Sequence, residues 1–170
     1  MEELTNTMEQ GATTAANREG KYLTFSMAGE EYGIGILKVK EIIGMMTVTM
    51  VPQTPSYVKG VINLRGKIIP VVSLRLKFGL EEIDYTDRTC IIVVEVRTGA
   101  GSVLMGIMVD EVSEVLNIRN AEIEDTPAFG TSLKTDFILG MAKAGNRVKI
   151  LLDIDKVISG QEMEMVLQAA

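Results

Sequence analysis

At 170 residues, 46 % of them apolar, the chain is long enough to bury a substantial core as one domain, in one lobe or two. A net charge of −6 argues against sequence-independent nucleic-acid binding, and the absence of a long apolar run or a basic leader argues against direct membrane insertion. There is no histidine, which removes the commonest general base and metal ligand, and the single Cys90 excludes an internal disulfide and fits a reducing, cytoplasmic setting.

Residues 1–18 are small, polar and aperiodic, the composition of a disordered tail, with order beginning near Lys21. Tyr22–Met27 reads as a strand, Ala28–Glu31 as a turn and Tyr32–Ile36 as a second strand. Ile36–Lys40 fits a short helix running into a strand at about 41–50, which Pro52 and Pro55 end. Val58–Leu64 and Lys67–Val72 are β-branched runs joined by Arg65-Gly66, a hairpin signature. Gly66 suits a positive φ and Arg65 does not, although a type II turn tolerates arginine at its first central position. Turn chemistry therefore leaves Arg65 unexplained: it is a solvated surface residue, or a binding contact held out on a rigid hairpin. Ser73 can cap a short helix that Gly79 terminates.

Glu81–Arg88 is a charged connector, and Thr89–Val96 has the continuous apolar pattern of a strand buried on both faces. Residues 98–102 form a flexible tip from which Val103–Val109 returns. Phe137–Ala142 and Arg147–Leu152 make another hairpin around Gly145-Asn146. Ser159-Gly160-Gln161-Glu162 has capping-box spacing ahead of Met163, Val166 and Leu167, so a C-terminal helix is expected over 161–170.

The halves repeat. Gly60, Lys67, Ile68, Val72 and Ser73 recur 80 positions later as Gly140, Arg147, Val148, Leu152 and Asp153. Gly33-Ile34 recurs 73 positions on as Gly106-Ile107, and Val39–Ile43 as Val112–Leu116. Two similar β lobes follow, approximately 20–84 and 85–158 within a domain at 19–160, with strands free to exchange between them. About five strands per lobe is a number at which a small sheet closes into a barrel.

Catalytic chemistry is not legible. Gly33-x-Gly35 and Gly99-x-Gly101 are incomplete dinucleotide motifs that read as turns. Cys90 lies in an apolar strand with no histidine to activate it. Asp110, Glu111 and Glu114, then Glu122, Glu124 and Asp125, lack calcium-loop spacing and read as solvated faces. Most of the eleven methionines read as core, with Met45, Met46 and Met50 clustered.

The segment Y-V-K-G-V-I-N-L-R-G-K-I-I-P-V-V-S-L-R-L-K-F-G closely resembles the CheW family of bacterial chemotaxis adaptors. So do the flanking E-E-Y-G-I-G-I-L-K-V-K-E-I-I, D-Y-T-D-R-T-C-I-I-V-V-E-V, V-D-E-V-S-E-V-L and R-V-K-I-L-L-D-I-D-K-V. The resemblance implies a mainly β fold, two SH3-like five-stranded barrels around a shared apolar core. It implies a non-enzymatic scaffold without cofactor or metal. Its partners are then chemoreceptor cytoplasmic tips and the regulatory domain of the histidine kinase CheA, which it joins at the inner face of the membrane. The implied partner-binding positions are Arg65 with Asn63 and Leu64 of the same N-L-R-G motif, and Val39, Glu41, Gly60, Gly106, Val112 and Val115. On this reading the three valines line an apolar groove and Arg65 and Glu41 orient a bound segment; the valines could equally be ordinary core. Gly35 and Ser73 replace aspartates common in the family, and Ser73 preserves a helix cap. The alternatives are an adaptor of a non-flagellar pathway and a small-ligand-binding barrel.

Overall fold

The computed structural model describes residues 18–99, 101–127 and 136–158. The tail before Arg18 and the expected helix at 161–170 lie outside the described residues. Arg18 itself extends the ordered chain three residues upstream of Lys21. Its buried guanidinium donates to Asp125 (2.8 Å) and to the Leu139 carbonyl (3.1 Å), partners that composition cannot anticipate.

β1 (Gly20–Met27) and β2 (Glu30–Gly35) form a hairpin through Ala28-Gly29, both at positive φ. Gly33 is thus a strand residue and not part of a turn; a Cβ there would lie 3.0 Å from Leu151. A single 3-10 turn, Ile36–Lys38, leads into β3 (Val39–Gly44). The strand expected to continue to residue 50 stops at Gly44, because the chain must bend to close a barrel. Beyond the bend only Thr49 returns to a ladder, exchanging 2.8 Å hydrogen bonds with Val61. β4 (Val58–Leu64) and β5 (Lys67–Ser73) form the central hairpin, followed by α1 (Leu74–Lys77). Ser73 caps α1 by accepting from the Leu76 amide, and Gly79 follows at φ +78°.

β6 (Cys90–Thr98) and β7 (Gly101–Val109) pair along their whole length. The chain then runs through β8 (Glu111–Ile118), a 3-10 turn at Asn120–Glu122, and β9 (Ile123–Glu124). β10 (Ile138–Ala144), β11 (Arg147–Leu152) and α2 (Ile154–Val157) complete the described elements, with Asp153 capping α2. Residues Ile91–Val94 are buried on both faces of β6, as their unbroken apolar run requires.

The strands sort into sheets of order β3-β6-β7-β5-β4 and β8-β1-β2-β11-β10-β9. In the first, Thr49 links β3 to β4; in the second, β8 and β9 are one strand bent at its 3-10 turn. Each sheet is therefore a five-stranded barrel. The barrels are not the contiguous lobes 20–84 and 85–158. The exchange is complete: β1–β2 joins the strands of the second half, and β6–β7 joins those of the first. The repeat explains why the exchanged hairpins fit. Gly33-Ile34 lies parallel to Leu151-Leu152, and Gly106-Ile107 lies parallel to Val71-Val72, in the same relation.

Ile62, Ile69, Val71, Ile91 and Val93 pack inside the middle-of-chain barrel, and Tyr22, Ile118, Ile123 and Leu151 inside the other. The larger cluster lies between them, built from Leu23, Phe25, Met27 and Ile34 against Ile92, Val94, Met105 and Ile107. Burial on this scale, at about 25 cal/mol per Å² of apolar surface, is what fixes one barrel on the other. Two polar clamps refine the fit. Arg75 on α1 grips Asp110, at the crossover into β8, with two bonds of 2.7 and 2.8 Å, and Asp110 also accepts from the Ala28 amide at 3.0 Å. At the related place, Asp155 on α2 accepts from Lys38 at the crossover into β3 (2.7 Å) and from the Arg97 amide (2.8 Å). The clamps carry inverted charge. Asp110, expected on a solvated face, is a structural anion.

Candidate partner-binding site

The central hairpin turn departs from the expected geometry. Arg65 has φ +51° and Gly66 φ +88°, so both central residues are left-handed, as in a type I′ turn and not a type II turn. The primed turn is selected because its twist matches that of the flanking strands. The sister hairpin places Gly145 (φ +63°) 80 positions after Arg65, where glycine avoids the steric conflict. The Asn63 side chain stiffens the loop by accepting from the Gly66 amide at 2.8 Å. A strained arginine in a braced turn is a feature of functional sites.

Arg65 makes a two-pronged ion pair with Glu41 on β3, Nη1 to Oε1 at 3.2 Å and Nη2 to Oε2. The hydrogen bond and charge of Arg65 hold the Glu41 carboxyl below its ordinary range, and Arg65 is raised in turn. The arginine side chain remains 69 % exposed, so the pair is a presented surface feature. An exposed pair of this kind contributes little to stability. Its geometry suits a partner that carries a carboxylate or amide able to share the guanidinium fork.

The other expected positions divide by environment. Leu64 packs onto the interior of the same barrel, and Val39 onto the shared core. Gly60 sits at φ +139°, where an added Cβ would fall 2.0 Å from the Thr49 carbonyl oxygen; it permits the barrel to close. Gly106 is enclosed too, its Cβ position 2.7 Å from Ile91. Val112 and Val115 lie on β8 of the other barrel, Val112 against the shared core and Val115 49 % exposed. The structure thus gathers Asn63, Arg65 and Glu41 into one cluster, with Leu64 beneath. It places Val112 and Val115 on the repeat-related strand of the second barrel.

Three exposed apolar residues were missed by sequence reasoning about sites: Ile42, which pairs in the repeat with the expected Val115, and the repeat-related Ile68 and Val148. The signal was the repeat register itself, which aligns each pair. The barrels also differ in closure. β11 pairs with β2 from Lys149 onward, and Lys149 forms an ion pair with Glu31. β5 meets β7 only from Val71. Val61 directs both backbone groups to Thr49, which turns the backbone of Pro70 toward β7, where the missing N–H cannot extend the ladder. An open groove of about 640 Å³ results, lined by Ile68, Ile69, Pro70, Val103 and Leu104 with Lys40, Lys67 and Glu95 at its rim.

Among the described residues no cluster of acidic, cysteine or histidine side chains could hold a metal ion. Cys90 is buried, and burial pushes its thiol above the ordinary value. No helix among the described residues is long and apolar enough to cross a membrane.

Comparison with known proteins decides the family. The model of the CheW-like domain matches residues 21–162. The chain belongs to the CheW family. A chemotaxis protein CheW from Klebsiella aerogenes is 42 % identical over 146 residues, covering 86 % of each chain. A CheW from Bacillus subtilis is 34 % identical over 145 residues, 85 % of this chain and 90 % of the relative. The crystal structure of the scaffolding protein TtCheW from Thermoanaerobacter tengcongensis superposes with a TM-score of 0.73 at 35 % identity, over 85 % of this chain and 97 % of that one. The mainly β, two-lobed architecture expected of a CheW is the architecture found.

Proposed function

We propose that this protein is a chemotaxis adaptor that couples chemoreceptors to the histidine kinase CheA, acting by contact and not by catalysis. Membership of the CheW family supports the scaffold role, and the hairpin geometry suggests where one contact lies. The observation that carries the assignment of the site is Arg65. It occupies a left-handed position that the sister hairpin gives to glycine, and it is held outward by Glu41 and by the Asn63-braced turn. In this reading Arg65, Glu41 and Asn63 orient a receptor helix, with Leu64 and Val39 as support. Gly60 and Gly106 serve by holding the barrel in shape. Val112 and Val115 supply a repeat-related apolar contact on the second barrel. Recruitment to the inner face of the membrane follows from receptor binding.

Arg65→Glu sets two carboxylates against each other at the site without touching the core. Capture of a receptor cytoplasmic fragment should fall at least tenfold, while the thermal melt stays close to that of the parent. Undiminished capture removes Arg65 from the site, and a large fall in melting temperature makes it a structural residue.

A further inference from the structure

Val112 and Val115 are three positions apart on β8, a separation that puts two side chains on opposite faces of a regular strand. Here they share a face. Val112 lies opposite Phe25 and Val115 opposite Leu23, and residues directly opposite in an antiparallel pair project to the same side. Leu23 and Phe25 both point into the shared core. A β-bulge reconciles the spacing: Ser113 and Glu114 together span the single residue Thr24, and neither has a partner in the ladder. Thr24 is wholly buried, and its hydroxyl holds the bulge. Oγ1 donates to the Glu114 carbonyl at 2.7 Å and accepts from the Glu114 amide at 3.1 Å. One side chain thereby satisfies both backbone groups that the bulge takes out of the ladder.

The repeat supplies a comparison within the chain. Across its hairpin Thr24 pairs with Gly33, and Val93 pairs with Gly106, the repeat-related glycine. On its other side Val93 faces Glu41, the residue 73 positions before Glu114, beside an equivalent bulge between Val39 and Glu41. Val93 and Thr24 thus occupy one position in the two barrels. In the first barrel Glu41 keeps its place in the ladder, and an apolar side chain opposite it suffices. In the second, Glu114 leaves the ladder and a hydroxyl takes over. Valine and threonine have nearly the same outline, so the hydroxyl, and not packing, accounts for the threonine.

We propose that Thr24 is a positioning residue of the partner-binding site: its hydroxyl fixes the β8 bulge and so holds Val112 and Val115 on one face for a bound segment. The inference rests on the reading of these two valines as partner contacts. Thr24 itself touches no partner, because it is enclosed on the barrel's interior side, the face it shares with Tyr22.

The test compares the full chain with Thr24→Val, Thr24→Ser and Val115→Glu. Loss of an ordinary hydrogen bond shifts an equilibrium roughly threefold to tenfold. In Thr24→Val, hydrogen exchange at the Glu114 amide should quicken by about that factor relative to the Val61 amide of the other barrel, which is bonded to Thr49. Capture of a receptor cytoplasmic fragment, read well below the melt, should weaken by roughly threefold or more. Thr24→Ser keeps the hydroxyl and should return both readouts to the parent level, whereas Val115→Glu should lose capture. Unchanged exchange at Glu114 overturns the proposal, since the hydroxyl would then not hold the bulge. Parent-level capture by Thr24→Val beside lost capture by Val115→Glu overturns the positioning role and leaves the contact reading standing. Parent-level capture by Val115→Glu overturns the contact reading and the inference with it. A serine variant no better than the valine one, or a valine variant that does not fold, makes Thr24 a structural residue and overturns the proposal too.

Discussion

Replacing Gly60 by alanine isolates what closes the middle barrel. The backbone there has φ +139°, and the new Cβ would stand 2.0 Å from the Thr49 oxygen and 2.7 Å from its carbonyl carbon. Neither neighbour is a side-chain tip that can swing aside. The strained backbone costs about 1–3 kcal/mol in a non-glycine residue. Relief of the clash requires Thr49 to withdraw, which breaks its two 2.8 Å bonds with Val61, about 0.5–1.5 kcal/mol each. The total is roughly 2–6 kcal/mol, and at about 2–4 °C per kcal/mol for a chain of this size the melt should fall by roughly 4–24 °C. Calorimetry or circular dichroism reads the melt, and receptor-fragment capture well below it reads the site. The expected result is a large loss of stability with capture retained by the folded fraction. A melt within about 2 °C of the parent would refute the closure argument, and lost capture at full stability would make Gly60 a contact.

Gly106→Ala should cost less, about 1–3 kcal/mol, because its Cβ meets the Ile91 and Val71 side chains at 2.7 and 3.3 Å and side chains can shift; a larger fall than for Gly60 in urea unfolding would contradict this. Asp110→Asn should destabilise at neutral pH but not in acid. Burial raises the Asp110 carboxyl, yet the bonds from Arg75 and the Ala28 amide outweigh it and leave the folded value below the ordinary one. A depressed carboxyl stabilises fully above its unfolded value, about 3.9, and the contribution disappears as pH falls through the folded value. The parent and variant melts should therefore differ at pH 7 and converge well below pH 4, and a constant gap would reject the clamp. Cys90 should resist thiol reagents in the folded chain and react once urea unfolds it, since burial disfavours its thiolate; rapid labelling of the native protein would contradict the packing.

Elements set by local chemistry were legible: the Arg65-Gly66 hairpin, the Ser73 and Asp153 caps, and the doubly buried β6 all follow from a few adjacent residues. What was hidden depends on distant partners. The burial of Arg18 requires Asp125, more than a hundred positions away, so a polar tail was the natural reading of that residue. The barrel membership of β1–β2 was hidden for the same reason, since its ladder to β11 is written nowhere near it. The repeat supplied the register but not the choice between pairing within a half and pairing across halves. At the site, Arg65 was visible as an anomaly of turn composition. Its left-handed backbone was not, because the turn type answers to the twist of the strands on either side.

The trading of hairpins constrains how the chain comes into being. β3 to β7 form an uninterrupted stretch, so that barrel can be assembled as soon as Val109 has emerged from the ribosome. The first hairpin, synthesised before any of it, pairs on one side with β8, which follows directly after that barrel, and on the other with β11 near the far end of the described chain. The β2 edge must wait for β11 through most of translation, the kind of long-range pairing that slows folding and invites wrong partners. A nick in the Glu81–Arg88 connector would leave two fragments, each holding strands that the other needs, and reconstitution from the pair should succeed where either alone aggregates.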